Sequence, residues 1–277
     1  MQHIQGAFHG VRNARIHYQG WLPEGAVRAT LIIVHGLGEH CGRYGNLANH
    51  LVPLGYALYG LDHIGHGRSE GRREGIERFD DYTDTLRLYV EMVAGWQPGK
   101  PLFMLGHSMG GLIAADYLPD HQGGLAGAIF SAPLLTAGDS VSPATILMAR
   151  VLSALAPRLG VAPLDVTALS RDPQVVERYV NDPLVFHGKT PARLGAELLR
   201  AMQRARSRLG ELTLPFLAIQ GGDDRLVAPA GAQMLYERAG SQDKTLKLYP
   251  GLYHELFNEP ERALVLDDVA NWLAARL

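Results

Sequence analysis

Five short, uninterrupted apolar runs punctuate the chain: Ala29 to Val34 (ATLIIV), Tyr56 to Leu61 (YALYGL), Pro101 to Gly106 (PLFMLG), Leu125 to Phe130 (LAGAIF) and Pro215 to Gln220 (PFLAIQ). Runs of this length without polar alternation suit strands buried on both faces, as in a parallel sheet covered by helices. Thr245 to Tyr249 repeats the signal more faintly. Between the runs, apolar residues recur at helical spacing. Phe79 to Trp96 puts Tyr82, Leu86, Tyr89, Val90 and Val93 on one stripe, Arg43 to Leu54 does the same more briefly, and segments 228–239 and 259–277 read as helices. Residues 7–22 alternate weakly through Phe8, Val11, Ile16, Tyr18 and Trp21, which predicts an opening antiparallel hairpin. Strand and helix alternate through most of the chain, so the expected class is α/β, a mostly parallel central sheet with helices on both faces.

The alternation stops between Ala132 and Leu212, where no convincing strand appears. The expected organisation is therefore a core of residues 1–131 and 213–277, with residues 132–212 inserted after the sixth strand as a helical cap over the strand ends. Within it, Pro143 to Leu159 shows a broad apolar face of Ile146, Leu147, Val151, Leu152, Leu155 and Leu159, with Arg150 and Arg158 as its main charges. That face reads either as ordinary buried core or as a lid. A lid would line an acyl pocket with side chains such as Ile146 and Leu147, or touch a lipid surface. Arg200, Arg204, Arg206 and Arg208 crowd one later stretch and read as a solvated helix face.

Composition narrows the function classes. A length of 277 residues, 47% hydrophobic and 19% charged, fits one large globular domain or one domain with an insertion. A formal net charge of -2 gives no electrostatic ground for a nucleic-acid partner. Cys41 is the only cysteine, which excludes an internal disulfide and a thiolate zinc cluster. The opening MQHIQGAFHG lacks the basic and apolar segments of a secretion signal, and no apolar stretch reaches the ~18 residues of a membrane span. A cytoplasmic location, at most peripheral to a membrane, is the expectation.

Candidate chemistry begins at Gly106-His107-Ser108-Met109-Gly110, a G-x-S-x-G pattern where an apolar strand gives way to a helix. In such an elbow the turn is strained and crowded, so the flanking positions need glycine and the serine stands exposed. The first N–H groups and dipole of the following helix favour a nearby oxyanion. A serine nucleophile needs a base, and the base an orienting acid, in the chain order Ser, Asp or Glu, His. Of the later histidines, only His254 follows the last plausible acid-bearing strand, in Pro250-Gly251-Leu252-Tyr253-His254-Glu255. The strand PFLAIQG ends in Gly221-Gly222-Asp223-Asp224-Arg225, and spacing alone leaves Asp223 and Asp224 equal candidates. Two rival patterns fail. Gly36-Leu37-Gly38 lacks the third glycine of a dinucleotide loop, since Cys41 holds that position, and His63 and His66 lie among glycines in a shaped loop rather than in a metal motif.

Four segments together, HGLGEHCGRY (35–44), DHIGHGRSEG (62–71), GHSMGG (106–111) and GGDDRLVAP with PGLYHE (221–229 and 250–255), resemble the monoacylglycerol lipase and lysophospholipase branch of the α/β-hydrolase fold. SRDPQVVERYVNDPL (170–184) and SQDKTLKLYPG (241–251) extend the resemblance to nearly the whole chain. It implies a carboxylic ester hydrolase of lipid esters with Ser108 as nucleophile, His254 as base and Asp224, directly before Arg225-Leu226, as acid. It also implies an oxyanion hole from the N–H groups of Leu37 and Met109, with no metal and no organic cofactor. Glu39 and Arg43 are the positions the resemblance assigns to the glycerol end of a substrate, although a Glu39–Arg43 pair bracing its loop accounts for them equally well, and Tyr179 matches a tyrosine that approaches the pocket from the cap in such enzymes. Phe257 departs from relatives that carry a second histidine there. Lysophospholipase and short-chain carboxylesterase activities are the alternatives among enzymes, and a ligand-binding or scaffold protein on the same fold is the alternative outside them.

Overall fold

The computed structural model describes residues 1–136 and 143–277, with side chains for all of these except 143–146. Its strands are β1 (Gln2–His9), β2 (Arg15–Leu22), β3 (Ala29–Val34), β4 (Tyr56–Leu61), β5 (Leu102–His107), β6 (Gly127–Ser131), β7 (Gly160–Pro163), β8 (Lys189–Pro191), β9 (Phe216–Gly221) and β10 (Lys244–Tyr249). Its helices are α1 (Gly45–Leu51), α2 (Asp80–Trp96), α3 (Met109–His121), α4 (Pro143–Leu155), α5 (Pro173–Val180), α6 (Ala192–Arg208), α7 (Ala230–Arg238) and α8 (Arg262–Ala274). Eight strands form one twisted sheet in the order β1-β2-β4-β3-β5-β6-β9-β10. β1 pairs antiparallel with β2 and β2 with β4, and every later pairing is parallel. This is the α/β-hydrolase fold.

The apolar runs became the central strands because both of their faces are covered. Met104 joins Ile32, Phe130 and Phe216 under α2, α3 and α7, whereas its neighbours Phe103 and Leu105 join Ile33, Ile129 and Ile219 under α1 and α8. β5 is buried along its whole length. Parallel strands all end on one edge of such a sheet, so the loops after β3, β5, β9 and β10 converge there.

Between β6 and β9 the chain leaves the sheet. α4, α5 and α6 help to line the same cavity as the residues that follow β3 and β5, and β7 and β8 form a short antiparallel ribbon of their own. The sequence predicts no strand here, and the reason is physical: GVAP and KTP are too short and too exposed to show a pattern. The insertion is tied down by Phe186 N–H to the Gly38 carbonyl at 2.9 Å, Glu255 N–H to the Leu169 carbonyl at 2.8 Å and His40 Nε2 with Asp182 Oδ2 at 2.9 Å. The arginine-rich face of α6 is not simply solvated either. Arg204 donates to both oxygens of Asp116 on α3 (2.7 and 2.5 Å) and to Asp80 at the start of α2 (2.8 Å), and Arg208 reaches Asp120 (2.7 and 2.8 Å). Among the described residues no helix is long and apolar enough to cross a membrane.

The closest approach in the core is at Gly110. A Cβ built there would lie 1.9 Å from the Val34 carbonyl oxygen, and the atoms it would meet are main chain of Val34 and His35, with no side chain to swing aside. Gly110→Ala is therefore expected to destabilise the protein by about 3 kcal/mol or more, the upper range for overpacking. Urea unfolding checks this, with Gly95→Ala, where a Cβ would meet nothing within 4 Å, as the near-neutral control.

Candidate active site

β5 ends at His107 and α3 begins at Met109, which leaves Ser108 alone to turn the chain, at φ 55° and ψ −119°. That is a strained conformation for a residue with a side chain, costing of order 1–3 kcal/mol. Three backbone hydrogen bonds hold it. Ser108 N–H donates to the Ser131 carbonyl (2.9 Å), and the Ser108 carbonyl accepts from Leu112 (3.1 Å) and Leu134 (3.0 Å). Gly106 is required beside it, since a Cβ there would lie 2.5 Å from the Gly110 carbonyl oxygen. The result is a serine whose side chain faces a cavity of about 760 Å³.

His254 lies in the loop after β10 and Asp224 in the loop after β9. His254 Nδ1 and Asp224 Oδ2 are 2.8 Å apart. Oδ2 also accepts from Gln220 Nε2 (2.8 Å), while Oδ1 accepts the N–H groups of Leu226 and Val227, each at 2.9 Å. Burial alone would raise the Asp224 pKa, but the His254 hydrogen bond and charge and the two N–H donors outweigh it and hold the carboxyl below its ordinary value. An ionised Asp224 fixes the His254 proton on Nδ1 and leaves Nε2 free to accept one. Asp223 is exposed, its N–H bonded to the Leu252 carbonyl. The choice that spacing leaves open is thus settled in hydrogen-bonding terms: the acid touching His254 is Asp224.

Ser108 and His254 line the same cavity. No hydrogen bond joins them among the described residues, and in such sites this contact commonly tightens only around substrate. The His107 ring packs 4.8 Å from that of His254, with Nδ1 3.1 Å from Ser131 Oγ. Burial, reinforced by His254, pushes His107 down to about 3, so it is a neutral wall for the neighbouring ring. The N–H groups of Leu37 and Met109 have no acceptor among the described residues. Met109 opens α3, where the helix dipole favours negative charge.

Glu39, Arg43 and Tyr179 meet in the wall of the cavity. Arg43 makes a two-pronged bond to Glu255 (2.6 and 2.8 Å), reaches Glu39 at 3.4 Å and lies 4.5 Å from the Tyr179 ring centre. Glu39 Oε1 accepts Gly36 N–H at 2.6 Å and the Tyr44 hydroxyl at 2.8 Å, so Glu39 braces the loop that carries Leu37. Burial raises the Glu39 pKa. In Glu255, burial pushes the same way but the paired Arg43 overcomes it, and the carboxyl titrates below its ordinary value. Tyr179 is the member of this group with a free hand: its buried hydroxyl has no partner.

The rest of the wall is apolar, with Leu152 from α4, Leu198, Leu199 and Met202 from α6, and Leu164 and Leu169 between α4 and α5. The Ile146 side chain lies outside the described residues. Leu147 does not reach the cavity. It is 62% exposed on the outer side of α4, because the inward positions of this helix are Met148, Ala149 and Leu152. An apolar stripe shows which residues share a face, but not which of two apolar surroundings that face meets. Gln220, Glu255 and His107 escaped the sequence reading. Each adjoins a recognised motif, at the end of β9, after His254 and inside the elbow, and that adjacency was the available signal.

The family model described as serine aminopeptidase, S33 (Hydrolase_4) matches residues 25–261. The chain is 42% identical over 271 residues to the monoacylglycerol lipase of Mycolicibacterium smegmatis, covering 98% of this chain and 97% of that one. Among solved structures it resembles the monoacylglycerol lipase of Paleococcus ferrophilus, with 31% identity, a TM-score of 0.82 and full coverage of both chains. It also resembles a soluble variant of the monoglyceride lipase of Saccharomyces cerevisiae in complex with a substrate analog, with 26% identity and a TM-score of 0.88, covering 100% of this chain and 95% of that one.

The neighbouring acids give a discriminating test. Asp224→Asn is expected to lower kcat for ester hydrolysis by about 10⁴-fold through the wrong His254 tautomer, while Asp223→Asn changes it by less than about threefold. Steady-state kinetics on one soluble ester compares the two, with Tm measured alongside.

Proposed function

The chain belongs to the serine aminopeptidase S33 family and, within it, to the monoacylglycerol lipase group, and from that footing we propose how its own residues hydrolyse a monoacylglycerol to fatty acid and glycerol. His254 Nε2 takes the proton of Ser108 as Oγ attacks the ester carbonyl carbon. The carbonyl oxygen, now an anion, is held by the N–H groups of Leu37 and Met109, and Asp224 steadies the imidazolium. Collapse breaks the bond to the alcohol oxygen, which leaves with the proton from His254. Water then repeats the sequence on the acyl-Ser108 ester and releases the acid, so every step uses this chain's own groups.

The observation that carries the substrate assignment is the polarity of the cavity around Ser108. Its wall combines the Glu39, Arg43 and Tyr179 cluster with the leucines of α4 and α6. At about 30 Å³ per water-sized atom, 760 Å³ holds roughly 25 such atoms, which suits one acyl chain with a small polyol and not three chains. Glu39 and Arg43 are committed to protein partners and shape the polar part of that wall. The unpartnered Tyr179 hydroxyl supports a role for it as a donor to the alcohol.

The same architecture suits contact with lipid. On the insertion, Leu147, Met148, Val151, Leu155 and Leu159 stand exposed together, Leu155 at 81%, and Met148 also borders the cavity. We read residues 132–212 as a lid that rests this patch on a lipid surface and passes a single-chain ester inward.

Two outcomes test this reading. Each methylene added between two and about eight acyl carbons is expected to raise kcat/KM by up to about fourfold, until the slot is full. Monoolein should be cleaved faster than triolein under matched dispersion. Leu152→Asp should harm long esters far more than acetates, whereas Leu147→Asp should spare dissolved esters and lower activity only on dispersed lipid. Triolein outpacing monoolein, or a preference for lysophospholipid over monoacylglycerol in the same panel, contradicts the assignment.

A further inference from the structure

A second cavity, of about 320 Å³, opens at the seam between the sheet domain and the insertion and shares no residue with the first. β8 divides them: Thr190 faces the first cavity and Pro191 the second. Four arginines line the second cavity, Arg12 and Arg72 from the core and Arg158 and Arg193 from the insertion. Arg12 is engaged with Asp81, Nε to Oδ1 at 3.1 Å. The guanidinium groups of Arg72 and Arg158, both exposed, and of the half-buried Arg193 have no hydrogen-bond or ion-pair partner among the described residues. Arg193 Nε is buried in that state, which is costly for a charged donor.

The acidic residues in the wall do not balance these charges. Asp81 already accepts from Arg12 and from the N–H groups of Glu77 (3.1 Å) and Arg78 (3.2 Å). Glu74 is buried, and its burial pushes the carboxyl up to about 7. Its Oε1 turns toward Gly38, where a built Cβ would lie 3.3 Å away, and its buried Oε2 has no partner. Only Glu77, which is exposed, remains to offset three cations.

We propose that this cavity binds a phosphate monoester group, carried by a small soluble phosphomonoester or by the head of phosphatidic acid, with the half-buried Arg193 as its inner ligand and the exposed Arg72 and Arg158 at the rim. A carboxylate is satisfied by one guanidinium fork. Three forks from separate segments match the larger number of oxygens and the double charge of a phosphate monoester. At about 30 Å³ per water-sized atom the cavity has room for roughly ten, enough for a phosphate with a short polar ester and too few for an acyl chain. Because two of the arginines belong to the insertion and one to the core, a bound phosphate joins the two and steadies the lid.

The test is titration of the full-length protein with inorganic phosphate and with glycerol 3-phosphate, following Tm against sodium chloride at matched ionic strength. A saturable rise in Tm is expected with phosphate and not with chloride. Arg193→Gln and Arg72→Gln should each weaken binding by about tenfold or more, with hydrolysis of a short soluble ester unchanged. Should either variant fold poorly, calorimetric titration of the wild type and of Arg158→Gln, on the exposed rim, supplies the same comparison. Flotation with phosphatidylcholine vesicles, with and without phosphatidic acid, separates the sources. Recruitment that depends on Arg193 marks a lipid head, and saturable binding of glycerol 3-phosphate without recruitment marks a soluble ester. Equal effects of phosphate and chloride, or phosphate binding that survives both substitutions, overturn the proposal.

Discussion

The site depends on how closely the first turn of α3 packs against the end of β3. With Gly110 against the Val34 carbonyl, no side chain fits between them, and Ser108 is forced to a positive φ at the rim of the sheet. The same packing brings the start of the loop after β3, at His35 and Gly36, against the elbow. One steric constraint thus sets the elbow and the loop that precedes Leu37 against each other. The strain at Ser108 is offset by the surrounding core, which is buried on both faces of β5.

A second layer of order is electrostatic. Asp224 receives four hydrogen bonds, two of them from backbone N–H groups, and so is held ionised in a buried setting where a lone carboxylate would take up a proton. Arg43 does similar work in the wall of the same cavity. It sits between Glu39 and Glu255, fixing the loop that carries Leu37 to the loop that carries His254. Breaking a buried pair of this kind by removing one partner costs far more than the pair contributes, which ties the geometry of two catalytic loops to a single guanidinium.

The central strands were legible because they are buried on both faces, which leaves an unbroken apolar run: Ala29–Val34 and Tyr56–Leu61 have the bounds the runs predict. The elbow was legible for the same steric reason that it works, since few residues fit around Ser108. Other features depend on what lies across from a residue, and sequence does not print that. β7 and β8 are too short for a pattern. The arginines of α6 look solvated until Asp116 and Asp80 are seen opposite Arg204. Leu147 shares a stripe with Leu152, yet one faces outward and the other the cavity. Asp223 and Asp224 differ by one position, and only the hydrogen bond to His254 separates them; the family resemblance had pointed to Asp224 through the Arg225-Leu226 that follows.

The central claim is that Ser108 alone is the activated nucleophile. Reacting the folded protein with a fluorophosphonate and mapping the adduct by peptide mass spectrometry tests it most directly, since the reagent forms a stable bond only with a hydroxyl whose proton has a base to receive it. One adduct per chain is expected, on the peptide containing Ser108, with its suppression when a monoacylglycerol competes for the cavity. Folded protein that stays unmodified, or that carries its adduct on another residue, would contradict it.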